Sequence, residues 1–162
     1  MYESEDDLRR LQVLLDRTLE RANPHLTSIV SPDRRLTAAQ VATYLQGTKH
    51  VAFATVNERG EPRVAPLDGV FIRGRFTVST GAQAARLRHL RANPACSAVH
   101  MDGDRVGIAV HGHARLLEEG DRGVDEWRRT NRLDVFHHAY GRVIPIHYEL
   151  YEDACRHDRG LA

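Results

Sequence analysis

Ser79-Thr80-Gly81, followed by Arg86, Arg88 and Arg91, is the segment best suited to chemistry. Two hydroxyls at a strand end, a glycine that lets backbone approach closely, and a helix start with free amides together make an anion site. The helix dipole adds to it, and Arg86, one turn in, supplies a fixed cation whose fork matches a phosphate. The same arginines also suit a solvated helix face, and spacing alone leaves both readings open.

Other candidates are weaker. Of the ten histidines, His111 and His113 lie two apart on one face of a strand. They could hold a metal if His100 or His137 supplied a third ligand. No acidic residue stands at a telling spacing, so a polar strand face is the simpler reading and no metal is expected. Ser79 and Thr80 lack the G-x-S-x-G setting of an activated nucleophile. Trp127, the single tryptophan, reads as packing, with an aromatic lid as the alternative. Cys96 and Cys155 are far apart and form no CxxC, which points to neither a disulfide framework nor a thiolate metal site.

These residues need elements to hold them. Residues 5–22 carry an apolar stripe of Leu8, Leu11, Leu15 and Leu19 at helical spacing, which Asn23-Pro24 stops. A polar connection is expected next. A second helix starts at Thr37, with Gln40 placed to complete a capping box, and ends at Gly47. His50 to Val56 is almost continuously apolar and suits a strand covered on both faces. Arg63 to Leu67 continues as a strand, and Pro66 within it has no amide hydrogen to give a neighbour. Val70 to Thr80 reads as a hairpin turning at Arg73-Gly74. Residues 82–92 return to helical spacing. Cys96–Met101 and Val106–Leu117 flank Asp102-Gly103, a two-residue hairpin signal, and the second strand alternates. A last strand is expected at Val143–Tyr151. Strands joined by tight hairpins indicate a mainly β, α+β fold: an antiparallel barrel with flanking helices. The expected organisation is a helix and linker at 1–36, the barrel at 37–152 and a tail at 153–162.

Composition excludes whole classes. The 162 residues suit one domain with a real core. A net charge of +1 leaves no excess cation to neutralise a nucleic-acid backbone, so no nucleic acid is expected as a partner. No stretch reaches the ~18 apolar residues of a membrane span. The acidic start, Glu3-Ser4-Glu5-Asp6-Asp7, precedes no apolar run, and a cytoplasmic location is expected. Among the basic residues 22 are arginine and Lys49 is the single lysine, so a phosphate contact here must almost always be an arginine.

Three segments in order carry a resemblance. Thr55-Val56-Asn57-Glu58-Arg59-Gly60-Glu61-Pro62-Arg63-Val64-Ala65-Pro66, then Phe76-Thr77-Val78-Ser79-Thr80, then Arg86-Leu87-Arg88-His89-Leu90-Arg91-Ala92-Asn93-Pro94 resemble the pyridoxamine 5'-phosphate oxidase-like split-barrel flavoproteins. The resemblance covers about residues 37–117. It implies an antiparallel split β-barrel in which the strand from Arg63 to Asp68 runs along the flavin. The leading Arg63 would lie near the phosphate, with Val64, Ala65 and Pro66 along the ring. Ser79, Thr80, Arg86 and Leu87 would hold the ribityl-phosphate arm. Arg86 stands where the family usually has lysine, which keeps the charge and adds a fork. Ala85 replaces a frequent basic residue, and Gly107 falls at about the position of a ring-side glutamine.

The resemblance therefore implies a flavin-type cofactor, FMN or the deazaflavin coenzyme F-420, and a homodimer with the cofactor between subunits. The departures argue against pyridoxamine-phosphate oxidation. Arg128, Arg129 and Arg132 sit among Asp125 and Glu126 and make a poor second phosphate site. Hydride transfer to or from a small conjugated or quinone-like substrate is the expected reaction, with no single indispensable acid or base. The alternative is a non-catalytic flavin- or haem-binding protein. The dimer is expected to cover apolar strand residues such as Val51, Phe53 and Val70.

Overall fold

The computed structural model describes residues 2–117 and, as backbone, the strand Val143–Glu149. The first helix, α1 (Glu5–Glu20), starts at a capping box: Asp7 N donates to Ser4 Oγ at 3.2 Å and Ser4 N to Asp7 Oδ2 at 2.9 Å. Leu11 is buried in the main core, with Leu8 and Leu15 packed against it. The connection expected to be irregular carries a helix of its own, α2 (Pro24–Ile29). Asn23 both follows α1 and caps α2, its Oδ1 accepting from Leu26 N at 2.8 Å, and Pro24 takes the first helical position. A 3-10 turn at Pro32–Arg34 leads on. The helix α3 (Ala38–Tyr44) opens on the predicted Thr37–Gln40 box. Ala38 N donates to Gln12 Oε1 at 2.9 Å, tying α3 to α1.

Six strands follow: β1 (Thr48–Val56), β2 (Pro62–Ile72), β3 (Arg75–Gly81), β4 (Ala95–Asp102), β5 (Val106–Leu116) and β6 (Val143–Glu149). The helix α4 (Ala85–Ala92) lies between β3 and β4. They form a closed antiparallel barrel in the order β1-β2-β3-β6-β5-β4, with β4 returning to β1.

Three local expectations are corrected. In β1, Val51, Phe53 and Thr55 are buried whereas His50 and Ala52 are exposed, so among the described residues the strand is covered on one face only. Val51 and Phe53, each 1% exposed, and Val70, 4% exposed, point into the fold and need no second subunit to cover them. The β4–β5 turn has three residues, Gly103, Asp104 and Arg105, because Asp102 pairs with Val106. By contrast the β2–β3 turn is the two residues expected. Arg73 and Gly74 both have positive φ, 52° and 75°, the form that matches the twist of a tight hairpin.

Between β2 and β3 the barrel opens into a seam. The β2–β3 ladder runs from Ile72↔Arg75 to Gly69↔Val78 and stops. Beyond it residues 62–68 pair only with β1, and Ser79, Thr80 and Gly81 pair only with β6, among the described residues. Pro66 falls in the stretch whose second edge is free, where a missing amide hydrogen costs that edge no ladder bond.

Candidate anion and cofactor site

The two lips of this seam carry the residues singled out in the sequence. Directly opposed residues of an antiparallel pair share a face, and successive residues alternate. Arg63, Ala65 and Leu67 oppose Thr55, Phe53 and Val51, so they lie on the inward face of β2. Val64 and Pro66 lie outward beside Ala54 and Ala52. On β3, Val78 and Thr80 are buried and Ser79 is half-buried on the alternate face. The four β2 residues therefore share a backbone edge but not a side-chain surface, and only one of the two hydroxyls faces inward.

Helix α4 brings the cation. Leu87, 1% exposed, and Leu90, 4% exposed, anchor the helix in the core. Arg86, preceding Leu87, is thereby half-buried, and its Nη1 donates to Thr80 Oγ1. Burial pulls the Arg86 guanidinium below its usual value while leaving it cationic at neutral pH. No carboxylate among the described residues pairs with it. Ala84, at the N-cap, offers no side chain to the first amides of the helix. Leu87, which the resemblance groups with the ligand contacts, is a core side chain, and its amide donates to Ala84 O at 3.0 Å. Arg63 is exposed and pairs with Glu61 at 2.5 Å.

Two further residues belong here that sequence reasoning passed over. Thr55 Oγ1 and His89 Nδ1 are 3.0 Å apart, and Thr55 is only 3% exposed. The available signals were a hydroxyl on the inward face of an otherwise apolar strand and a histidine three residues after Arg86, on the same side of the helix.

The described candidates His100 and His111 lie on opposite faces of the sheet. His111 opposes Ser97, with Oγ and Nδ1 2.8 Å apart, whereas His100 opposes Ile108 on the other face and bonds His50 O at 2.8 Å. Among the described residues no three candidate ligands cluster. His137, Trp127 and Arg128, Arg129 and Arg132 lie outside the described residues. A side chain at Gly107 would meet nothing within 4 Å. No described helix is long and apolar enough to cross a membrane.

Residues 37–136 match the sequence profile of pyridoxamine 5'-phosphate oxidase. The chain belongs to that family. No curated protein matches its sequence significantly. Solved structures of similar fold include the conserved hypothetical protein Rv2991 of Mycobacterium tuberculosis, at 21% identity and a TM-score of 0.60, covering 74% of this chain and 84% of that one. HutZ, the haem storage protein of Vibrio cholerae, is similar at 15% identity and a TM-score of 0.54, covering 70% and 88%. An F-420 reductase is similar at 18% identity and a TM-score of 0.51, covering 65% and 88%. At these identities the likeness extends to the fold, the split barrel of the oxidase family.

Proposed function

We infer that this family member holds a flavin-type cofactor, FMN or F-420, in the seam and acts as a homodimeric oxidoreductase. Arg86 carries the reading. A guanidinium half out of water, bonded to a buried hydroxyl and with no carboxylate partner among the described residues, is a fixed cation placed to receive an anionic group. The uncapped start of α4 and the Thr80 hydroxyl fit the phosphate arm of such a cofactor. Arg63, once released from its exposed partner Glu61, adds a second cation on the same face.

The cofactor, when bound, supplies the hydride chemistry. Arg86 and Thr80 fix its phosphate end, and the free edge of residues 62–68 offers backbone donors and acceptors to its polar ring atoms. The outward face of β2 presents Val64, Pro66 and Asp68, and the last of these is a carboxylate held 2.7 Å from His50 Nδ1. That face carries no arginine to hold a second phosphate. It suits a small, conjugated or quinone-like substrate rather than pyridoxamine phosphate.

The dimer rests on a different surface from the one the sequence suggested. Pro66, Ala52, Val99 and Ala109 stand in one row across β2, β1, β4 and β5, and Val64 and Met101, each 67% exposed, lie beside it. An apolar strip of this kind needs cover, and a second copy of the chain provides a matching one.

The absorption spectrum of the purified protein, followed by titration with FMN and with F-420, tests the reading. A flavin or deazaflavin band with stoichiometric binding is expected. A haem Soret band, or no binding of either cofactor, overturns it.

A further inference from the structure

We propose that His89, held by Thr55, is a positioning residue that sets the width of the seam and aims Arg86 at the cofactor phosphate. The inference rests on the cofactor reading above and extends it to residues that touch no ligand. Helix α4 is tied to both sides of the split. Its first turn is bonded to the β3 lip through Arg86 and Thr80. Its next turn is bonded through His89 to Thr55 on β1, and Thr55 is the direct cross-strand partner of Arg63 on the β2 lip. Arg86 and His89 are three residues apart and so share one side of the helix.

The two strands have no direct ladder at this end, because their own pairing stops at Gly69↔Val78. Past that pair no backbone bond between β2 and β3 fixes how far Arg63 stands from Thr80. The leucines of α4 hold the helix against the barrel, but apolar contacts are non-directional and tolerate rotation and sliding. A hydrogen bond is directional and limits both. Thr55 also explains itself this way. It interrupts the inward row of Val51 and Phe53 with a hydroxyl that would be costly to bury without a partner.

The test uses Thr55→Val, which keeps the shape and removes the hydroxyl, together with His89→Ala and His89→Asn. Each variant is titrated with FMN and with riboflavin, which has the same ring and no phosphate, and with F-420 beside its phosphate-free core if the deazaflavin is preferred. Thr55→Val and His89→Ala are expected to lose about 10-fold in affinity for the phosphorylated ligand and nothing for the phosphate-free one. His89→Asn, whose amide can still reach the Thr55 hydroxyl, is expected to recover most of the loss. Equal losses for both ligands would mark a general loosening of the fold and overturn the proposal, as would no loss at all. If wild type binds neither cofactor, the cofactor reading fails separately, and thermal stabilisation by inorganic phosphate then decides. Weaker stabilisation of the two variants than of wild type would uphold the positioning role; equal or absent stabilisation would overturn it.

Discussion

Gly69 stands directly opposite Val78 in the last pair before the seam opens, and a Cβ on it would come within 3.0 Å of Val78 Cγ1. Its backbone is ordinary, so the need is for space and not for an unusual dihedral. Gly69→Ala is expected to overpack this junction and destabilise the chain by about 1–2 kcal/mol. Denaturant midpoints of the two proteins check this. A midpoint equal to wild type would mean that Val78 moves aside freely.

Arg86→Ala removes the charged donor at the proposed phosphate site. A charge-assisted hydrogen bond is worth about 1.5–3 kcal/mol, so cofactor affinity is expected to fall about 10- to 150-fold. Arg91→Ala, on the exposed side of the same helix, is the control. Equal affinities for the two variants would place the phosphate elsewhere.

Subunit association is expected to depend on the outward strip. Val64→Glu places a charge at an exposed position beside the row formed by Pro66 and Ala52. Sedimentation should show wild type as a dimer and this variant shifted towards an 18.3 kDa monomer. A stable monomer in wild type, or a dimer indifferent to the charge, would refute the assignment.

The start of α1 gives a pH-dependent expectation. Desolvation acts to raise the Asp7 pKa, but hydrogen bonds from the Ser4 amide and hydroxyl, with Arg73 and Arg10 nearby, hold it below its ordinary 3.8. A carboxyl depressed in the folded state stabilises fully above its unfolded value and loses that contribution as pH falls through the lower folded one. Ser4→Ala should cost about 1 kcal/mol at neutral pH, and less in acid once Asp7 is protonated. Thermal melts at pH 7 and near pH 3 compare the two, and a constant difference would remove Asp7 from the box.

Much of this protein is written in short stretches of its sequence. The Thr37–Gln40 capping box, the Arg73-Gly74 turn and the Pro94 stop after α4 are local, because a cap or a tight turn is satisfied by residues a few positions apart. The family was legible for a related reason: the three segments that carry the resemblance follow one another within a single stretch of chain, inside the matched residues 37–136. Ser79, Thr80 and Arg86 could be named as a candidate anion site, and the bond between Arg86 and Thr80 joins residues that are near neighbours in sequence. Other features required the tertiary structure. Whether Val51 or Ala52 faces solvent depends on which side of β1 the barrel closes, and an unbroken apolar run carries no alternation to reveal it. Where the β2–β3 ladder stops is decided by how far each strand can follow a second partner around the barrel, β1 for one and β6 for the other. The bond between Thr55 and His89 joins residues far apart in the chain, and only the closed fold brings them within 3.0 Å.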